Sequence, residues 1–189
     1  MSAYTTQNNL LLNNLISFYE KDDNLQNMLK VVTGESRVSL RIVDWFATNY
    51  AKKHYTVYEI TDKASGETKR FKVYIDYKLK LKAYSKKRFD PFCRWDRITI
   101  PYGDDSMIQT TIGQLNFFKW AIENKVIAYI TENYKTIEND MNDRNSSTKK
   151  KTDKEGGSDN KTRKKREELS VFASRSIKKE NIEIVVSFN

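Results

Sequence analysis

From Arg70 to Tyr84 the chain alternates without a break. Phe71, Val73, Ile75, Tyr77, Leu79, Leu81 and Ala83 interleave with Arg70, Lys72, Tyr74, Asp76, Lys78, Lys80, Lys82 and Tyr84. Successive side chains of an extended strand point to opposite faces. The spacing therefore predicts a long strand with one apolar face and one lysine face that has tyrosine at both ends. Upstream, Thr56 to Ile60 is rich in β-branched and aromatic residues, and Asp62 to Thr68, with Gly66, supplies a loop. Together the two runs predict a β-hairpin.

The flanking segments carry a different period. Leu10, Leu11, Leu15, Phe18 and Tyr19 recur at helical spacing, Asp22-Asp23-Asn24 interrupts them, and Leu25, Met28, Leu29 and Val32 resume the pattern up to Gly34, which predicts two short helices joined by a turn. Ser39 is placed to cap a third helix bearing Leu40, Val43, Phe46, Ala47 and Tyr50. Pro91 and Pro101 bracket a turn and a short strand through Ile98 to Ile100. Thr111-Ile112-Gly113-Gln114 has the form of a capping box. Leu115, Phe118, Ile122, Val126, Tyr129, Ile130, Tyr134, Ile137 and Met141 keep helical phase after it, predicting one long aromatic-rich helix.

Charge is unevenly placed. Of a formal +9, the segment Arg144 to Arg166 carries +7 and Lys69 to Arg97 carries +8, leaving −6 on everything else. Arg144 to Arg166 holds no apolar residue, so no core contact offsets the entropy of ordering it, and it reads as a disordered basic loop. Beyond it Ile182, Ile184, Val186 and Phe188 alternate again, predicting a final strand that returns to the sheet or adds to a partner's. The expected organisation is a folded core at 1–143, a loop at 144–166 and a C-terminal segment at 167–189. The fold class is α+β: a small antiparallel sheet packed against N-terminal helices and the long helix.

Several functional classes are excluded or disfavoured. A single cysteine, Cys93, precludes an internal disulfide, and with a single histidine, His54, there are too few soft ligands for structural zinc. Met1 to Tyr19 is uncharged but broken by Gln7, Asn8, Asn9, Asn13 and Asn14, which fits neither a signal peptide nor a membrane span; a soluble intracellular protein is expected. There is no glycine-rich phosphate loop, nucleophile elbow or paired metal-ligand motif, so the chain reads as a non-enzyme with no cofactor. His54 follows Lys52 and Lys53 and reads as a surface histidine at a helix end, Cys93 as a buried inert thiol, and Asp104-Asp105 as a turn. Trp45, Phe46, Phe117, Phe118 and Trp120 read as core.

What remains is polyanion chemistry. Lys72, Lys78, Lys80 and Lys82 with Tyr74 and Tyr84 suit phosphate neutralisation and base stacking. Lysine on an exposed sheet face also serves solubility, but Lys86, Lys87, Arg88, Arg94 and Arg97 follow at once and exceed that need. Lys149, Lys150 and Lys151 with Arg163, Lys164, Lys165 and Arg166 form a flexible arm for phosphates and have the form of a two-part nuclear-import signal.

Three blocks, Ser39 to Lys53 (SLRIVDWFATNYAKK), Arg88 to Trp95 (RFDPFCRW) and Thr110 to Ile130 (TTIGQLNFFKWAIENKVIAYI), resemble a group of uncharacterised proteins of large double-stranded DNA viruses of eukaryotes. The resemblance implies a setting, an infected cell with its viral factory, nucleus or virion, and transfers no functional residue. The resulting expectation is a nucleic-acid-binding protein, DNA ahead of RNA, in genome packaging, genome organisation or late transcription. The alternative is a virion assembly protein that contacts other virion proteins and oligomerises through Asn181 to Asn189.

Overall fold

The structure is a computed structural model that describes residues 3–62, 65–93, 97–102, 106–152 and 178–181. Helices α1 (Ala3–Tyr19) and α2 (Asn24–Thr33) open the chain. The break falls where the acidic cluster stands, and Gly34 ends α2 in the left-handed conformation, φ 82°, that terminates helices without a Cβ penalty. Leu15 and Tyr19, one turn apart, are buried, and the Tyr19 hydroxyl donates to the Leu115 carbonyl at 2.6 Å. Burial raises the pKa of this phenol well above its ordinary value.

Ser39 caps α3 (Leu40–Trp45) by accepting from the Ile42 amide. A π-helical turn, Phe46–Tyr50, joins α3 to the short α4 (Ala51–Lys53). The hairpin forms from β1 (Val57–Thr61) and β2 (Thr68–Lys72), antiparallel, with Val57 opposite Lys72.

The predicted long strand ends at Lys72. Val73 to Phe89 is a helix, α5, so the reading of Phe71 to Ala83 as a two-faced strand is corrected. Two physical reasons decide it. β1 offers only five residues of pairing, and a longer strand would present its remaining backbone groups unpaired. Past Ile75 the run contains no β-branched residue, and from Lys78 to Ala83 it is built only from Lys, Leu and Ala, which are strong helix formers. Val73, Tyr77 and Tyr84 then fall on one helical face, Val73 and Tyr77 buried and Tyr84 half-buried. Ser85, at φ 65°, ends the straight part of α5, and Phe89 closes the kinked last turn in the core.

A second sheet has the order β3-β4-β5, from Arg97–Tyr102, Ser106–Thr111 and Lys178–Asn181, all antiparallel. Thus the fold is α+β, with two small sheets among the described residues rather than one. The alternating run from Ile182 onward lies outside the described residues.

Helix α6 (Ile112–Glu123) starts where Thr111 accepts from the Gln114 amide at 3.2 Å. The capping box is only half made: Gln114 accepts from the Thr110 hydroxyl at 3.0 Å instead of reaching back to Thr111. The expected single long helix is broken into α6, α7 (Val126–Glu132) and α8 (Tyr134–Thr152). At each break an asparagine amide competes for a helix carbonyl, Asn124 donating to Trp120 at 2.8 Å and Asn133 to Tyr129 at 3.0 Å. Lys125 is left-handed at φ 53° and turns the chain.

The α8 helix continues through Thr152, so Arg144 to Thr152 is helical where a disordered loop was expected. Residues 153–166 of that loop lie outside the described residues.

The core joins these parts through aromatic rings. Phe89 lies 5.9 Å from each of Tyr77, Phe117 and Trp120, and Phe71 of the hairpin reaches Trp120 at 6.3 Å. Phe46, Phe117, Phe118 and Trp120 are buried as expected, while Trp45 is half-buried. Where α6 crosses the end of α5, Gly113 allows the contact: a Cβ there would stand 2.9 Å from the carbonyl oxygens of Lys87 and Asp90. Among the described residues no helix is long and apolar enough to cross a membrane.

Candidate nucleic-acid interface

In a helix each residue turns about 100° from the last, so the lysines of the alternating run are dealt to different sides of α5. Lys80 and Tyr84, one turn apart, line a trough between the hairpin, α5 and α6 with a volume of about 680 Å³. Lys69 stands on its hairpin wall, Lys119 on α6 and Lys125 at the turn after α6. A second hollow of about 450 Å³ continues the trough toward α1, shares Tyr84 and Lys119 with it and adds Lys21.

The trough's walls also carry three carboxylates, Asp62, Asp76 and Glu123, against the four lysines Lys69, Lys80, Lys119 and Lys125. Asp76 accepts from the Trp120 indole at 2.7 Å, and Glu123 pairs with Lys119. Lys21, Lys69, Lys80 and Lys125 have no ion-pair partner among the described residues. Tyr84 is held as a platform at the centre: its ring stacks on Phe89 at 6.0 Å with an interplanar angle of 15°. The Tyr58 hydroxyl of β1 donates to the carbonyl of the wall residue Asn124 at 2.8 Å, and burial pushes its pKa upward.

The other predicted residues go elsewhere. Lys78 and Lys82 are exposed on the opposite side of α5. Lys72 and Tyr74 line a separate hollow of about 30 Å³, with Lys52 5.7 Å above the Tyr74 ring. Lys86 pairs with Asp90 at 3.7 Å, and Lys87 and Arg88 are engaged within the fold. Arg97 donates to Gln109 across the sheet at 2.9 Å. Lys149, Lys150 and Lys151 ride on α8, whereas Arg94 and Arg163 to Arg166 lie outside the described residues. The lysine face with a tyrosine at each end therefore does not exist; of that set only Lys80 and Tyr84 meet in the trough. Lys21, Lys119 and Lys125 were missed because they stand singly in the sequence and no local charge run marks them.

The remaining polar chemistry serves structure. Asp140 of α8 pairs with Lys53, receives the Trp45 indole N–H at 3.2 Å and has the His54 imidazole at 3.5 Å. Burial alone would raise the pKa of its carboxyl, but the hydrogen bonds from Lys53, Trp45 and His54 outweigh that and hold it below the usual range. His54 thus has a carboxylate neighbour that local sequence did not assign. Cys93 is half-buried rather than fully enclosed. Among the described residues no group of three or more His, Cys, Asp or Glu side chains is placed to hold a metal ion.

Fold and trough together define a small basic α+β protein with a lysine-lined groove and a recessed aromatic platform. The chain matches DUF7197, a family of unknown function, over residues 3–168, and belongs to it. It is similar to "Uncharacterized protein L507" of Acanthamoeba polyphaga mimivirus, with 46% identity over 129 residues, covering 66% of this chain and 49% of that protein. The chain thus spans about half the length of this relative, which comes from a giant virus as the resemblance implied. No solved structure matches the chain.

Proposed function

We propose that this chain is a non-enzymatic nucleic-acid-binding protein, with DNA ahead of RNA, that seats a phosphate backbone along the trough beside α5. The observation that carries this reading is the convergence of Lys21, Lys69, Lys80 and Lys125, all without ion-pair partners among the described residues, on one trough centred on Tyr84. Cations left unpaired at a concave surface focus positive potential there. Each phosphate they neutralise releases counterions, and a base can stack on a ring already fixed by Phe89. The basic α8 and the charged segment after it would add contacts that carry no sequence information. Similarity to a mimivirus protein supports a viral setting; within it, the role proposed is genome packaging, genome organisation or late transcription, in the viral factory, nucleus or virion.

Fluorescence polarisation with labelled single-stranded and duplex DNA and RNA across a salt series tests the proposal. Affinity should fall linearly on a log–log plot against salt. No binding at low salt, or binding indifferent to salt, overturns it.

A further inference from the structure

On the side of α5 away from the trough, Ile75 and Leu79 stand one turn apart and are 43% and 61% exposed. Tyr55, 65% exposed, shares a hollow with Ile75, and Leu79 stands one helical turn beyond Ile75 on α5. The fold does not need these side chains: α5 already buries Val73 and Tyr77 on its inner face, and polar residues at 75 and 79 would serve a solvated helix surface equally well. Tyr55 has φ 47°, a left-handed conformation that a non-glycine residue adopts at an energetic cost. Its ring gains little burial in return. An exposed apolar cluster rimmed by polar residues marks an interaction surface.

We infer that this face of α5 is a docking site for an acidic amphipathic helical segment of a partner protein. Charge selects the acidic sign. Lys52 and Lys72 line the hollow beside Ile75, with no carboxylate among its walls. Lys78 and Lys82 run one turn apart alongside Ile75 and Leu79, and neither has an ion-pair partner among the described residues. The apolar spacing selects the helix. Ile75 and Leu79 at i and i+4 match the stripe of a second helix, the recurring anchor pattern of helix recognition. Two aliphatic side chains and one ring are too small an area to hold a bilayer surface, and aliphatic groups give bases nothing to stack on. This inference is independent of the trough, because the two surfaces are on opposite sides of α5.

The test uses the full chain and a fluorescein-labelled helical peptide of about 18 residues, with leucines at i and i+4 and glutamates on both flanks. The wild type should bind it, and a peptide with lysines in place of the glutamates should not bind. Ile75→Ser with Leu79→Ser, and separately Lys78→Glu with Lys82→Glu, should each weaken binding by about tenfold or more. Both pairs are at exposed positions, and unchanged circular dichroism will show that they fold. Affinity for single-stranded DNA should stay at the wild-type level in the serine variant. Failure to bind the acidic peptide overturns the inference, as does binding that neither pair affects. Loss of DNA affinity in the serine variant, or binding to anionic vesicles that the serine variant abolishes, reassigns the face to nucleic acid or to lipid and equally overturns it.

Discussion

The two sides of α5 share one lysine-rich stretch and differ in nearly everything else. Toward the trough, Lys80 and Tyr84 stand among cations drawn from the hairpin, α6 and α1, over a ring stacked on the buried core. Away from it, Lys78 and Lys82 flank Ile75 and Leu79, which touch little of the fold. Equal charge density in sequence has become a recessed lysine-lined groove on one side and an amphipathic ridge on the other. Helical phase made the difference: residues two apart, which share a face in a strand, are about 200° apart around a helix.

The comparison can be broken most completely at Phe89. It is fully buried, and both Tyr84 and Trp120 lean on it. Phe89→Ala should destabilise the protein by about 3–5 kcal/mol, measured by urea denaturation, and should weaken nucleic-acid binding with it. Next is the crossing of α5 and α6. Gly113→Ala places a Cβ against two backbone carbonyls that cannot yield as a flexible side chain would, and a loss of about 1–3 kcal/mol is expected from overpacking.

The smallest effect sharpens the contrast instead. Asp140 anchors Lys53 and His54 of the α4 end, which leads to Tyr55 on the outer side of α5. Because its pKa is depressed in the folded state, its stabilising contribution is fully present above the unfolded carboxylate value of about 3.9 and is lost as pH falls through the lower folded value. Asp140→Asn should therefore lower the melting temperature at neutral pH and flatten its decline on the acid side. Affinity for nucleic acid in the trough should not change.

Local signals were legible wherever one principle acted alone. The acidic interruption before α2, the Ser39 cap, the hairpin loop and the Thr111 helix start all rest on neighbouring residues, and each is where it was expected. Two principles conflicted between Val73 and Ala83. A period of two argued for a strand, but Lys, Leu and Ala favour helix, and β1 is too short to pair the whole run. Ile75 and Leu79, left exposed, are the visible residue of that conflict. The breaks at Asn124 and Asn133 were hidden because the apolar phase runs straight through them. The trough and the Asp140 cluster were illegible for a simpler reason: Lys21, Lys69, Lys80 and Lys125, like His54 and Asp140, meet only through tertiary packing.

The most direct measurement compares the salt dependence of nucleic-acid binding in two triple variants. Replacing Lys69, Lys80 and Lys125 with glutamine should reduce the magnitude of the log–log slope by about 2–3, roughly one counterion contact for each trough cation removed. Replacing Lys72, Lys78 and Lys82, equal in charge but away from the trough, should leave the slope at its wild-type value. Equal losses in the two variants would contradict the account, because charge alone, and not its convergence on one groove, would then govern binding.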